Sequence, residues 1–180
     1  RPSRGAAPVD FDADGDVDLF VNAYRLIANQ IFVNAGDGTV SEESVSLGLT
    51  GTSSGFYYGH TIGAAWGDLD GDADFDLVAA NLAHPRFFDF SDKTQVLIQN
   101  AEHTFEDITG DFATPHSEAG LRYQETHSVP ALADFDHDGH LDLVITCVYD
   151  GRPTDFYWGN GDGTFRLDAY DAGITTEDGW

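Results

Sequence analysis

Carboxylate side chains recur in this sequence at a spacing that suits the coordination of a hard cation. Three loops carry them: Asp10, Asp12, Asp14, Asp16 and Asp18; Asp68, Asp70, Asp72, Asp74 and Asp76; Asp134, Asp136, Asp138, His140 and Asp142. Counting from the first aspartate of each loop, positions 1, 3, 5 and 9 offer carboxylates, and position 7 offers its backbone carbonyl. Calcium takes six to eight oxygens at about 2.3–2.6 Å, so one such loop fills most of its shell. Without an ion these like charges would repel one another. Gly15 and Gly139, at position 6, supply the sharp turn that wraps the loop around a metal. The second copy has Ala73 there and Gly71 at position 4. A strained or rearranged turn, and the least regular of three calcium sites, is expected at that copy. His140 is assigned through its carbonyl. The rings of His137 and His140 are left unassigned, because calcium prefers oxygen.

An EF-hand is the rival reading of any Asp-x-Asp-x-Asp-Gly string, but it requires a bidentate Glu at position 12 and flanking helices. Position 12 here is Val21, Ala79 or Ile145, each inside an apolar, largely β-branched run that reads as a buried strand. The ninth-position aspartates must therefore close the site. One such loop alone fits an acidic solvated turn; three in one register, each running into a strand, argue for metal.

The loops recur 58 and 66 residues apart. A second landmark keeps step with them: Asn34-Ala-Gly36-Asp37-Gly38-Thr39, Asn100-Ala-Glu-His-Thr-Phe105 and Asn160-Gly161-Asp162-Gly163-Thr164-Phe165. These read as hairpin turns after strands at Gln30–Asn34, Gln95–Asn100 and Asp155–Gly159. Each unit then holds four strands: one entering the metal loop (Ile62–Gly67, Val129–Ala133), one leaving it, and the two arms of a hairpin. One such unit is one propeller blade. The fold class expected is all-β, with three four-stranded antiparallel β-propeller blades over residues 6–57, 58–122 and 123–180, as part of a larger or assembled propeller or repeat array.

The Asp loops, the Asn-Gly-Asp-Gly-Thr-Phe turn, and Phe105-Glu-Asp-Ile-Thr109 with Ala119-Gly-Leu121 ahead of a fresh loop make the chain resemble the FG-GAP/VCBS repeat family. That family supplies the calcium-loop blades of integrin α-subunit propellers and of cartilage acidic protein and its bacterial relatives. The resemblance spans nearly the whole chain. It implies a β-propeller with metal sites at blade edges, secreted or surface-displayed, acting as an adhesion, interaction or assembly scaffold. Three departures stand out: Ala73 in the second loop, His103 in place of the turn glycine, and three blades where a closed propeller needs at least four.

Thirty-two acidic against eight basic side chains give a formal charge of −24. Nucleic acid and anionic membrane surfaces, which need a positive face, are disfavoured as partners. Fourteen of the acids lie in the three loops, where calcium would neutralise them. A hydrophobic content of 41% suffices for a packed core, and no run reaches transmembrane length. The lone Cys147 sits in a strand and forms no internal disulfide, so stability falls to the core and the ions. The absence of Met points to a mature form or a piece of one, and no Asn-x-Ser/Thr sequon occurs. Localisation is expected to be extracellular or at the cell surface.

No nucleophile elbow, zinc helix or phosphate loop accompanies the seven histidines, so no enzymatic activity is expected. His60 and His127 stand eight and seven residues ahead of their loops and are placed alike, at strand starts where both could face a propeller axis. An insertion in the middle blade, Leu82–Phe90, carries three phenylalanines and reads equally as a cap or as a contact surface. Two functions remain: a calcium-stabilised module binding protein, including copies of itself, or a carbohydrate-directed module, lectin-like or attached to a polysaccharide-degrading enzyme. A three-blade array exposes two apolar end faces, so oligomer, filament or a longer chain is expected to cover them.

Overall fold

A computed structural model describes residues 2–51, 57–83, 93–110, 117–122, 126–149, 152, 154–168 and 173. Its architecture is three four-stranded antiparallel sheets in up-and-down order. The first holds β1 (Ser3–Val9), β2 (Asp18–Ala23), β3 (Gln30–Asn34) and β4 (Val40–Glu42). A single helical turn, α1 (Ser44–Leu47), follows it. The second holds β5 (Thr61–Gly67), β6 (Asp76–Asn81), β7 (Gln95–Gln99) and β8 (Phe105–Asp107), and the third holds β9 (His127–Ala133), β10 (Asp142–Cys147), β11 (Asp155–Gly159) and β12 (Phe165–Leu167). Sequential hairpin-linked strands of this kind, repeated three times, are propeller blades. The aromatic insertion at residues 84–90 lies outside the described residues.

Strand register repeats from blade to blade. Position 10 of each loop, Leu19, Leu77 or Leu143, pairs with Phe32, Leu97 or Tyr157 on the next strand. Because successive side chains on a strand alternate faces, this register sends positions 10 and 12 to one face of every blade and position 11 to the other. The core lies between blades. Val9, Phe11, Phe20 and Ile31 of the first blade meet Leu77, Ala79, Leu97 and Phe105 of the second. Val78, Ala80 and Val96 on the second blade's other face meet Leu143, Ile145 and Tyr157 of the third. The blade-leaving strands bury both faces only where a neighbour stands on both sides: β6 is buried at all six residues. At the axis β1 packs beside β5, and β5 beside β9; Asn22 Nδ2 donates to the Ile62 carbonyl across the first seam at 3.1 Å.

The hairpin turns close as the landmarks predict. The N–H groups of Ala35, Asn100 and Asn160 donate to the carbonyls of Thr39, Thr104 and Thr164 at 2.9–3.1 Å. His103 takes φ 57°, the left-handed conformation held by Gly38 and Gly163 in the other two turns. Histidine is one of the non-glycine residues that tolerates it. Among the described residues no helix is long and apolar enough to cross a membrane.

Candidate metal centre

Each Asp loop joins the innermost strand of its blade to the second, so the three sites recur at one rim position. In every loop the carboxylates at positions 1, 3 and 9 converge: Asp10, Asp12 and Asp18; Asp68, Asp70 and Asp76; Asp134, Asp136 and Asp142. One oxygen from each lies within 4.8 Å of the others. Position 1 holds the turn, its Oδ2 accepting the position-6 N–H at 3.1 Å in all three copies. Position 5 caps the next bend: Asp14, Asp72 and Asp138 accept from the N–H of Asp16, Asp74 and His140 at 2.8–2.9 Å. In the first and third loops position 7 turns toward the hairpin. A Cβ on Gly36 would strike the Asp16 carboxylate, and one on Gly161 would strike the His140 ring.

Position 9 does more than close the site. Asp18, Asp76 and Asp142 are buried. Their Oδ2 atoms accept the position-2 N–H of Phe11, Leu69 and Phe135 at 3.4, 2.7 and 2.8 Å. Their Oδ1 atoms accept the N–H of Asn34, Gln99 and Gly159 at 2.8–3.0 Å. One carboxylate thus ties the loop to the far end of its own hairpin. Burial raises the pKa of Asp18 and pushes that of Asp76 up to about 6, against the backbone N–H bonds that lower both. Burial, and then the Asp72 charge, raises Asp70 as well. Crowded carboxylates in a dry site favour a proton or a cation. The residues fit calcium on a further count: Asp10 Oδ1 is buried with no hydrogen-bond partner among the described residues, an oxygen that lacks only a positive ligand.

The middle loop is not rearranged. Positions 4 and 6 both take positive φ in every copy: Ala13 and Gly15 at 56° and 96°, Gly71 and Ala73 at 85° and 76°, His137 and Gly139 at 64° and 95°. The glycine has moved from position 6 to position 4, and the backbone has kept its path. The expected irregularity therefore reduces to strain at Ala73, whose Cβ opposes the left-handed region by about 1–2 kcal/mol. Ala73→Gly is expected to stabilise the protein by about 1 kcal/mol in urea unfolding, less the entropy a glycine adds to the unfolded chain. No gain would mean that Ala73 is not strained.

The first two loops are also held by the following blade. Gln99 Nε2 donates to the Phe11 carbonyl at 3.1 Å, and the Gly163 N–H donates to the Leu69 carbonyl at 3.0 Å. Position 2 is thus fixed on one side by its own ninth-position aspartate and on the other by its neighbour.

The two histidines placed alike by sequence distance are not equivalent. His127 pairs with Cys147 as Thr61 pairs with Asn81, so His60 lies one residue out of step with it. A one-residue offset on a strand reverses the face. His60 packs edge-on against the Tyr24 ring at 5.0 Å. His127 enters a buried network between the second and third blades. Its Nδ1 lies 2.7 Å from Thr94 Oγ1 and its Nε2 lies 3.1 Å from Asp155 Oδ2. Tyr157 Oη donates to the same Asp155 oxygen at 2.9 Å, and Arg122 Nη1 donates to Asp155 Oδ1 at 2.8 Å. Burial raises the Asp155 pKa, but the bonds and charges of His127 and Arg122 outweigh it and hold the carboxyl below its usual value. Burial keeps the Tyr157 hydroxyl protonated. Although hydroxyl, imidazole and carboxylate stand in line, Thr94 Oγ1 also accepts the Asn81 N–H, and all three groups are buried, so the arrangement joins the two blades. Sequence reading pointed to His127 but not to Thr94, Arg122, Asp155 or Tyr157. Nothing in their local pattern marks them; the one available signal was an aspartate at Asp155 where the other blades carry Gln30 and Gln95.

With three register-matched loops in place, the comparison with known families is direct. A model described as "FG-GAP-like repeat" matches residues 6–79. The match takes in the first blade from residue 6 within β1, both of the first two Asp loops and the start of β6, while the third blade repeats the loop geometry outside it. No curated protein sequence matches the chain. Among solved structures, this chain is similar to a lectin of Agrocybe aegerita, studied for specific recognition of non-reducing terminal N-acetylglucosamine. Identity is 20% and the TM-score 0.48, over 88% of this chain and 36% of the lectin chain. The chain therefore spans about a third of the lectin's length, and the likeness is too loose to carry the lectin's ligand across.

Proposed function

We propose that this chain is a calcium-binding β-propeller repeat module, extracellular or on the cell surface, that serves as an interaction scaffold and catalyses no reaction. The observation that carries this reading is the threefold recurrence of one carboxylate triad at positions 1, 3 and 9, built on one backbone path and anchored by the same pair of N–H groups. Asp10, Asp12 and Asp18 would hold the first ion, Asp68, Asp70 and Asp76 the second, and Asp134, Asp136 and Asp142 the third. Bound calcium would supply positive charge to a chain of formal charge −24 and tie the loops together. The FG-GAP-like repeat supports the same reading, since the resemblance implies metal sites at blade edges and display outside the cell. The bond pattern makes each of the first two loops a link between two blades, which suits a rigid binding surface.

A sugar-directed role draws less support, because Trp158 is turned edge-on to Phe156 at 4.6 Å and its Nε1 donates to Asp168. Its ring is engaged in packing.

Titration calorimetry on the purified chain is expected to show three calcium ions, with affinities on the order of 10⁻⁴–10⁻³ M or tighter. Fewer than two ions, or magnesium binding as well as calcium, would overturn the assignment.

A further inference from the structure

The last residues of β3, β7 and β11 are Asn34, Gln99 and Gly159, and the N–H of each holds the ninth-position aspartate of its own blade. Their side chains part ways. Asn34 Nδ2 donates to the Val17 carbonyl at 3.2 Å and so stays with its own loop, while Gly159 has no side chain to extend. Gln99 alone of the three reaches another blade. Its Nε2 donates to the Phe11 carbonyl, at position 2 of the first loop, at 3.1 Å. The Phe11 N–H bonds Asp18 Oδ2 at 3.4 Å, and the Gln99 N–H bonds Asp76 Oδ1 at 2.9 Å. Three hydrogen bonds through Phe11 and Gln99 therefore run from Asp18 of the first triad to Asp76 of the second.

The link is buried and oriented. Gln99 is 2% exposed, and its Nε2 also lies 3.5 Å from His103 Nδ1. Its Oε1 is buried with no hydrogen-bond partner among the described residues. A leucine would fill the volume without that unpaired oxygen, so what the amide contributes is the bond to Phe11 and not packing. Phe105, which pairs with Gln99 across the hairpin, sets its ring 5.9 Å from the Phe11 ring and holds the same two segments together. Between the second and third triads the path is longer. The Gly163 N–H bonds the Leu69 carbonyl, but Asp142 is held by Gly159, on the other side of the hairpin turn.

We propose that Gln99 couples the first two metal sites, so that filling either one raises the affinity of the other. The inference rests on the calcium-module reading. In an empty loop the carboxylates repel one another; with an ion at Asp10, Asp12 and Asp18 they converge, and Phe11, tied to Asp18, is held. A held Phe11 carbonyl fixes the Gln99 side chain, and the Gln99 N–H places Asp76 for the second ion. Whichever site fills first orders Gln99, and the other finds it in place. Linkage makes the effect equal in both directions. Gln99 is thus a positioning residue and not a metal ligand. Repulsion between two bound cations opposes the coupling and is screened by salt.

Calcium titration calorimetry on three chains measures the coupling. Asp136→Ala leaves the first two sites, Asp12→Ala with Asp136→Ala leaves the second, and Asp70→Ala with Asp136→Ala leaves the first; all three carboxylates accept N–H groups at exposed bends. The coupling factor is the product of the two binding constants in the first chain divided by the product of the two single-site constants. Adding Gln99→Leu to all three chains is expected to lower that factor at least about fivefold, the low end of allosteric coupling, with ion counts and circular dichroism unchanged. The N–H that holds Asp76 remains in that variant, and ion–ion repulsion enters both factors alike, so the difference belongs to the amide. Gln99→Asn, whose shorter side chain leaves the Phe11 carbonyl out of reach, should lower the factor as Gln99→Leu does and separates the lost bond from a packing fault. A factor that both variants leave unchanged would overturn the coupling and leave the module reading standing. A wild-type chain that binds no calcium would overturn the module reading itself.

Discussion

Asp142→Ala is expected to destabilise the protein by about 2 kcal/mol, because it takes the acceptor from two part-buried N–H groups at about 1 kcal/mol each. Asp142 is buried, its oxygens accept the N–H of Phe135 and Gly159, and an alanine there leaves both part-buried donors without that acceptor. Most of the loss should persist after chelation, because those bonds exist independently of any ion. The remainder, the third ion's contribution, should vanish with chelator. Asp138→Ala provides the contrast. Its carboxylate accepts one N–H at an exposed bend, so about 1 kcal/mol is expected in metal-free buffer. Urea unfolding of both variants with and without calcium measures this. Equal stabilities of wild type and Asp142→Ala in chelator would show that the ninth-position aspartate serves the ion alone.

Asp155→Ala is expected to lose about 3–5 kcal/mol, the range for removing one partner of a buried ion pair. The carboxylate receives Arg122, His127 and Tyr157 at 2.8–3.1 Å, and its removal leaves a guanidinium, an imidazole and a hydroxyl facing a void between two blades. Asp155→Asn keeps the shape and part of the bonding, so its loss should be smaller. The sign of the pH effect follows from the depressed carboxyl. A carboxylate titrating lower in the folded than in the unfolded chain contributes stability that is complete above its ordinary value of 3.8. The contribution falls away as the pH drops through the folded value. Wild type should therefore lose stability faster than Asp155→Ala below about pH 4. A change under about 1 kcal/mol for the alanine variant, below the usual loss for breaking a buried pair, would show that Arg122 and His127 find other partners.

Aspartate loops, hairpins and blades were legible in the sequence because each is a local device. A period-2 apolar run, a Gly-Asp-Gly turn and an alternating aspartate string fix their conformations over fewer than ten residues, and repetition in step turned three weak signals into one strong one. Strand bounds at Gln30–Asn34 and Asp155–Gly159 agree with β3 and β11 to the residue. Ala73 shows where local reasoning stopped. A glycine missing from position 6 reads as a broken turn, yet the loop's path is set by the strands and hairpin at its ends and by the bond from Asp76 to Gln99, and Ala73 follows that path under strain. Sequence distance likewise set His60 beside His127, while one residue of register on the strand separated their faces. The Thr94–His127–Asp155–Arg122 network joins residues up to 61 positions apart across a blade seam, and no local pattern encodes such a meeting. Short-range chemistry is written in residue order. Which faces meet, which carboxylate is buried and which histidine joins the seam network were decided only when the blades packed, because burial and long-range pairing belong to the assembled sheets.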